Sequence, residues 1–263
     1  MSLEQFFGLS QAPFLRAAAG ALMRTPVHEQ ILERLRFALA RDAIAMLVAE
    51  SGCGKSTTLS LFAQSLDAAS YNVLATSLTT LSPFSFIAHI VATLGLRGRR
   101  FKGETAAALV AHLRAQPKRT VVLIDEAHLL PDDSLEDLRL LTADNLDRGS
   151  PFALVLVGQP ILRERLAEPQ HYALWQRIGV RLRLRPLNET EIATFLEHHL
   201  NVAGGKRKVF ELDAVAAIFH HSRGIPRLVQ NIALDAMLAA MAAGKKTVDA
   251  QAVQQAIIDM EAT

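Results

Sequence analysis

This sequence predicts an α/β fold: a parallel five-stranded sheet between helices, followed by a small all-helical domain. Three observations carry that expectation. Short apolar runs alternate with helical patterns up to Pro186. Beyond Pro186 every segment reads as helix. A glycine-rich turn stands between the first apolar run and the helical pattern after it. Strands alternating with helices are the mark of a parallel sheet covered on both faces.

The strand candidates are Ile44–Ala49, Asn72–Ser77, Val121–Asp125, Ala153–Gly158 and Val180–Leu184. Most are unbroken apolar runs, as expected of strands buried on both sides. In the last, Val180, Leu182 and Leu184 alternate with Arg181, Arg183 and Arg185, which predicts an edge strand with one wet face. Helices are expected over His28–Arg41, Ser56–Ala69, Phe84–Leu94, Glu104–Ala115 and Asp132–Leu146. In the second part, Asn188 can cap a helix that runs to Asn201 and stops at Gly204–Gly205. Asp213 opens another, which stops at Gly224, and Pro226 takes a first helical position in a third that ends at Gly244. Thr247 or Asp249 opens the last. The division expected is an N-terminal linker over 1–27, an α/β domain over 28–187 and a helical lid over 188–263.

Composition narrows the function classes. Half of the 263 residues are hydrophobic, enough for a full core. Lys plus Arg is 28 against 26 Asp plus Glu, so nucleic-acid binding is neither demanded nor excluded by net charge and turns on local patches. Cys53 is the one cysteine, so no intrachain disulfide can form, and no Cys/His spacing points to zinc. The N-terminus lacks a secretory pattern, and apolar stretches such as Ala236–Ala243 are far short of a bilayer span. A soluble, cytoplasmic chain is expected.

Two motifs carry chemistry. Ala49-Glu50-Ser51-Gly52-Cys53-Gly54-Lys55-Ser56 is the Walker A phosphate-loop pattern with alanine at the first glycine position. Glycines let successive backbone N–H groups turn inward and cradle phosphate oxygens. Lys55 puts a cation on the β- and γ-phosphates, Ser56 offers a hydroxyl to magnesium, and Thr57 continues the helix whose N-terminus attracts the anion. The ligand expected is ATP or GTP. Val121-Val122-Leu123-Ile124-Asp125-Glu126 is a Walker B pattern: a buried strand ending in two carboxylates at the sheet edge where ligands of α/β folds bind. Asp125 is expected to hold magnesium and Glu126 to activate the attacking water. Asp125-Glu126-Ala127-His128 also spells a helicase box, but the chain lacks the length for a second ATPase lobe.

With both motifs placed, the sequence resembles AAA+ ATPases. More narrowly it resembles the general secretion pathway protein A (ExeA-like) group and transposon-encoded target-selection ATPases similar to Mu transposition protein B. The marks are Phe6-Phe7-Gly8-Leu9 with Pro13-Phe14, His28-Glu29, the Walker pair, Leu156-Val157-Gly158-Gln159-Pro160, Gln176-Arg177-Ile178 and Gly224-Ile225-Pro226-Arg227-Leu228. The resemblance implies ATP with Mg2+ as the nucleotide and metal, and Phe14 and His28 against the adenine. Read alone, His28 is a helix-start residue. The resemblance further implies Gln159 as sensor 1, Arg177 as an arginine finger reaching a neighbouring subunit, and Arg227 as sensor 2. Arg163, Arg165 and Arg181 compete with Arg177 for the finger role. A finger supplied in trans implies a homo-oligomer, a ring or a helical filament.

Two branches of that resemblance differ in what the ATPase acts on. A chain near this length is expected to regulate transposition, binding duplex DNA without sequence specificity and recruiting a transposase or adaptor protein. The alternative is an ATPase that assists assembly of a secretion or envelope complex through protein partners. Basic segments bear on the choice. Arg97, Arg99, Arg100 and Lys102 crowd one loop, and Lys206-Arg207-Lys208 another. Such loops can neutralise phosphates, although a solvated loop is the commoner fate of a short charge run. His198–His199 and His220–His221 read as surface or helix-end residues.

Overall fold

The computed structural model describes residues 1–14, 22–143 and 149–262. The chain divides into two compact units, Pro26–Ala49 with Lys55–Leu184, and Met1–Thr25 with Glu50–Gly54 and Arg185–Thr263. Helix α1 (Leu3–Phe7) opens the chain, in the second of these units. The α/β unit then runs α2 (Pro26–Ala40), β1 (Ile44–Val48), α3 (Lys55–Gln64), β2 (Tyr71–Thr76), α4 (Pro83–Thr93) and α5 (Lys102–Ala115). It continues with β3 (Arg119–Ile124), α6 (Asp132–Leu141), β4 (Ala153–Gly158), α7 (Ile161–Leu166), α8 (Tyr172–Arg177) and β5 (Ile178–Arg183). Four helices of the second unit follow: α9 (Glu189–Val202), α10 (Leu212–Ser222), α11 (Pro226–Ala242) and α12 (Ala250–Glu261).

The five strands form one sheet in the order β2-β3-β4-β1-β5, and every pairing is parallel. The central strands β1 and β4 are buried at every residue, which is why they read as continuous apolar runs. Ile44, Met46, Val48, Val122, Ile124, Leu154 and Leu156 share one core with α4, α6 and α7 residues such as Phe86, Leu135 and Leu162. Ala45 and Leu47 alternate onto the opposite face and are equally buried. At the edge, β5 buries Ile178, Val180 and Leu182 and exposes Gly179, Arg181 and Arg183, as its alternation requires. Register then fixes the functional edge. Val48 pairs with Gly158, and Ile124 with Leu156, so the residues just after β1, β3 and β4 emerge side by side.

Two helices end earlier than their sequence pattern. Helix α3 stops at Gln64, and Asp67 takes over the backbone: its carboxylate accepts Ala69 N–H at 2.9 Å and Ser70 Oγ–H at 2.6 Å. Helix α6 stops at Leu141 with Thr142 donating Oγ–H to Leu138 O at 2.7 Å. The rest of its expected span, 144–146, lies outside the described residues.

The helical unit has its own core, including Ile192, Leu196, Ile218, Val229, Ile232, Met237 and Val253. Phe7 at the end of α1 and Leu9 just after it enter the same core, and Ser10 N–H donates to Ala203 O at 2.8 Å. Asn188 caps α9 in a reciprocal box with Glu191, whose carboxylate also takes both Arg185 NH groups at 2.6 and 2.8 Å. Asp249, rather than Thr247, caps α12 by accepting Ala252 N–H at 2.9 Å. Of the two expectations for His199, the helix end holds, since it lies in the last turn of α9, and the surface does not. His199 is buried, its ring 4.4 Å from Phe195 and 5.6 Å from Phe14, because it lies on the core stripe of α9 beside Phe195 and Leu196.

Candidate active site

The phosphate loop is a turn built by backbone. Ala49 N–H donates to Gly158 O at 3.1 Å, which ties the loop's start to the end of β4. Cys53 N–H donates to Glu50 O at 3.2 Å and closes the turn; the Cys53 thiol is buried. Gly52 and Gly54 take φ of +80° and +93°, a backbone that L side chains resist, which is why glycine stands at both. Lys55 opens α3 and is buried, its Nζ donating to Ala49 O at 3.2 Å. Ser56 is exposed and Thr57 half-buried. Within the other unit, Arg227 N–H donates to Gly52 O at 3.3 Å. A Cβ at Gly52 would meet Arg227 Cβ and Ile225 Cγ2 at 3.0 Å.

The two carboxylates follow β3. Asp125 N–H continues the ladder to Thr76 O at 2.8 Å. Its Oδ2 accepts Ser56 Oγ–H at 2.7 Å and its Oδ1 accepts Glu126 N–H at 2.9 Å. A hydroxyl and a carboxylate in direct contact are hard oxygen donors. They fit a magnesium ion, which takes one or two protein oxygens and completes its shell with water and substrate phosphate. Glu126 has φ +53°, a left-handed non-glycine residue. That conformation costs about 1–2 kcal/mol and is shared here by Phe14, Asp42 and Arg223. Glu126 Oε2 lies 3.5 Å from His128 Nδ1. Gln159 follows β4, and its N–H donates to the same Nδ1 at 3.5 Å.

Arginines near this edge are committed in ways that sequence spacing does not reveal. Arg165 donates to His128 O at 2.6 Å, Leu130 O at 3.0 Å and Asp132 Oδ1 at 2.5 Å. His171 Nε2 reaches the same Asp132 oxygen at 3.0 Å. Arg165 and His171 together hold the Asp132 carboxyl below the usual carboxylate range. Arg177 closes the C-terminus of α6, donating to Arg139 O at 2.8 Å and to Thr142 O. Arg181 stacks on Trp175, its guanidinium 3.7 Å from the ring centroid, while Arg163 is exposed.

The remaining sequence candidates fall elsewhere. Phe14 packs with His199 on the helical core, at φ +61°, and His28 is half-buried on α2. Arg97, Arg99 and Arg100 are exposed in the loop before α5, whose backbone Thr105 Oγ1 pins by accepting Arg99 N–H at 3.0 Å. Lys102 pairs with Asp137 at 2.7 Å, so its charge is partly offset. No helix among the described residues is long and apolar enough to cross a membrane.

Comparison with known proteins agrees with this geometry. Residues 39–166 match the family model of an AAA domain. The chain is 34% identical over 252 residues to general secretion pathway protein A of Aeromonas hydrophila, covering 91% of this chain and 45% of that protein. It is 30% identical over 168 residues to Mu-like prophage FluMu DNA transposition protein B of Haemophilus influenzae, covering 61% of this chain and 55% of that one. The chain thus spans about half the length of the curated relatives it matches. In fold it is similar to the ORC1 protein of Aeropyrum pernix, solved in complex with DNA, with TM-score 0.69 at 20% identity over 92% of this chain and 67% of that one. The fold is that of a P-loop NTPase of the AAA+ kind.

Proposed function

Starting from an AAA domain with a phosphate loop and two carboxylates at one sheet edge, we propose that the chain is an ATP-dependent, oligomerising, DNA-binding ATPase that regulates DNA transposition. The observation that carries the ATPase part is the Ser56 Oγ to Asp125 Oδ2 contact at 2.7 Å beside the buried Lys55. These are a magnesium site and a phosphate-binding cation in adjacent positions. In this reading Lys55 and the N–H groups of Glu50–Thr57 hold the phosphates, with Ser56 and Asp125 as metal ligands. The metal, when bound, neutralises charge on the β- and γ-oxygens. Glu126 orients and deprotonates the attacking water. Gln159 acts as sensor 1 and Arg227 as sensor 2, with Phe14 and His28 against the adenine. Arg177 serves a neighbouring copy in a ring or filament, which requires its guanidinium to leave the α6 carbonyls.

The transposition part is supported by the similarity to FluMu transposition protein B and by the exposed Arg97, Arg99 and Arg100. A loop of permanently charged, solvent-facing guanidinium groups neutralises backbone phosphates without reading bases. A transposase or adaptor protein is the expected partner, in the cytoplasm. A second reading is favoured by the larger share of the chain that aligns with general secretion pathway protein A: an ATPase assisting assembly of a secretion or envelope complex.

The test is co-sedimentation with duplex DNA in a non-hydrolysable ATP analogue, repeated across salt. The transposition reading expects nucleotide-dependent binding that weakens as salt rises. It also expects R99E/R100E to lower affinity on the order of tenfold while ATP turnover stays within about twofold. Absence of DNA binding at low salt would transfer the assignment to the secretion-type reading.

A further inference from the structure

One nitrogen in this site has two claimants. His128 Nδ1 lies 3.5 Å from Gln159 N and 3.5 Å from Glu126 Oε2. The backbone N–H of Gln159 needs a lone pair on that nitrogen, whereas a carboxylate needs a proton on it. A single ring nitrogen cannot supply both at once. We propose that His128 is a two-way positioning residue whose Nδ1 serves either the Gln159 N–H or the Glu126 carboxylate, and so ties the availability of Glu126 to the terminus of β4. The inference rests on the reading of Glu126 as the group that activates water.

The surroundings leave the ring little freedom, so the choice is one of hydrogen bonding rather than of rotamer. The His128 side chain is 9% exposed and that of Glu126 35%, so water reaches the carboxylate but has little access to the ring. A Cβ at Gly158 would sit 3.2 Å from His128 N and 3.3 Å from its Nδ1, which shows how closely the ring lies on the β4 backbone. Arg165 holds the His128 carbonyl at 2.6 Å and Leu130 O at 3.0 Å, anchoring the loop from α7. Glu126 stands at φ +53°, and its side chain is 35% exposed. The charged groups facing His128 are Glu126 on its own loop, Arg165 from α7, and Asp132 at the start of α6, which Arg165 and His171 hold.

The two states differ in function. With Nδ1 accepting from Gln159 N–H the ring is neutral, and Glu126 is free to take a proton from water. With a proton on Nδ1, carried by the neutral Nδ1–H tautomer or by the imidazolium that forms in acid, the ring pairs with Glu126 and the base is withdrawn.

The experiment is the pH profile of kcat and KM for ATP in the full chain, for wild type, His128→Asn, His128→Ala and Glu126→Gln. The Asn amide oxygen can accept the Gln159 N–H but cannot gain a proton. Expected is a wild-type kcat that declines on the acid side, and a His128→Asn enzyme within about threefold of wild type at alkaline pH that lacks that decline. His128→Ala, with neither contact, should lower kcat about tenfold with KM within about twofold. An unchanged acid limb in His128→Asn, or a kcat and KM that change together in both His128 variants, overturns this inference alone. A wild type without turnover, or a Glu126→Gln protein as active as wild type, overturns the reading of Glu126 and this inference with it.

Discussion

At the scale of single residues, the site depends on groups that face one another across long stretches of chain. Ser56 and Asp125 are 69 positions apart, and their contact at 2.7 Å is what turns a phosphate loop and an acidic strand end into one site. Both were readable in the sequence because each motif is local: glycines and a lysine at fixed spacing, or an apolar run closing in two carboxylates. Arg165 and Arg177 were not, since their partners lie 33 to 38 positions away and nothing in the local pattern selects a carbonyl as their target. Glu126→Gln is expected to lower ATP turnover at least ~100-fold while leaving nucleotide affinity in place, measured by steady-state kinetics beside equilibrium nucleotide binding. A second residue prediction concerns stability. Burial, with a smaller contribution from His198, lowers the pKa of His199 to about 4. The unfolded chain therefore binds the extra proton first, so stability should fall as pH drops from about 6.5 towards about 4 and level off below. His199→Phe should flatten thermal-unfolding midpoints across that window.

At the scale of elements, legibility follows length and punctuation. The helices of ten residues or more that bury one face were visible from their spacing; Asn188 and Asp249 cap where expected and Pro226 takes its first helical position, whereas α10 starts at Leu212, one residue before Asp213. Helices α1, α7 and α8 have five or six residues each, too few to display a period, and escaped the sequence reading. The edge position of β5 was legible because one wet face forces its arginines to alternate with Val180 and Leu182. The turn between α10 and α11 yields a sharp prediction. Gly224 has φ +76°, and a Cβ there would stand 1.8 Å from Leu187 O, which is itself backbone. Gly244 has nearly the same φ, +71°, with nothing within 4 Å. Gly224→Ala should therefore cost more than about 3 kcal/mol and Gly244→Ala about 1 kcal/mol, read by denaturant unfolding. Asn188→Ala removes one side of the cap on α9 and should cost about 1 kcal/mol in the same assay.

At the scale of the whole molecule, charge is nearly balanced, 28 basic against 26 acidic side chains, so any affinity for DNA has to come from placement rather than sum. In the proposed DNA-binding reading the exposed Arg97, Arg99 and Arg100 are that placement, and Lys102, paired with Asp137, would contribute less to it. Net charge alone is silent on this point, and the exposure of the three arginines is what the structure adds to their clustering in sequence. The partner protein was not legible at either level, because recognition of a partner rests on surfaces that neither motif spacing nor the sheet edge specifies. The central claim, that the edge formed by Lys55, Ser56, Asp125 and Glu126 binds and cleaves ATP, is tested most directly by magnesium-dependent phosphate release from ATP by wild type, Lys55→Ala and Glu126→Gln, with and without duplex DNA. The account predicts turnover in wild type that rises with DNA, loss of nucleotide binding in Lys55→Ala, and bound but uncleaved ATP in Glu126→Gln; undiminished phosphate release by either variant would contradict it.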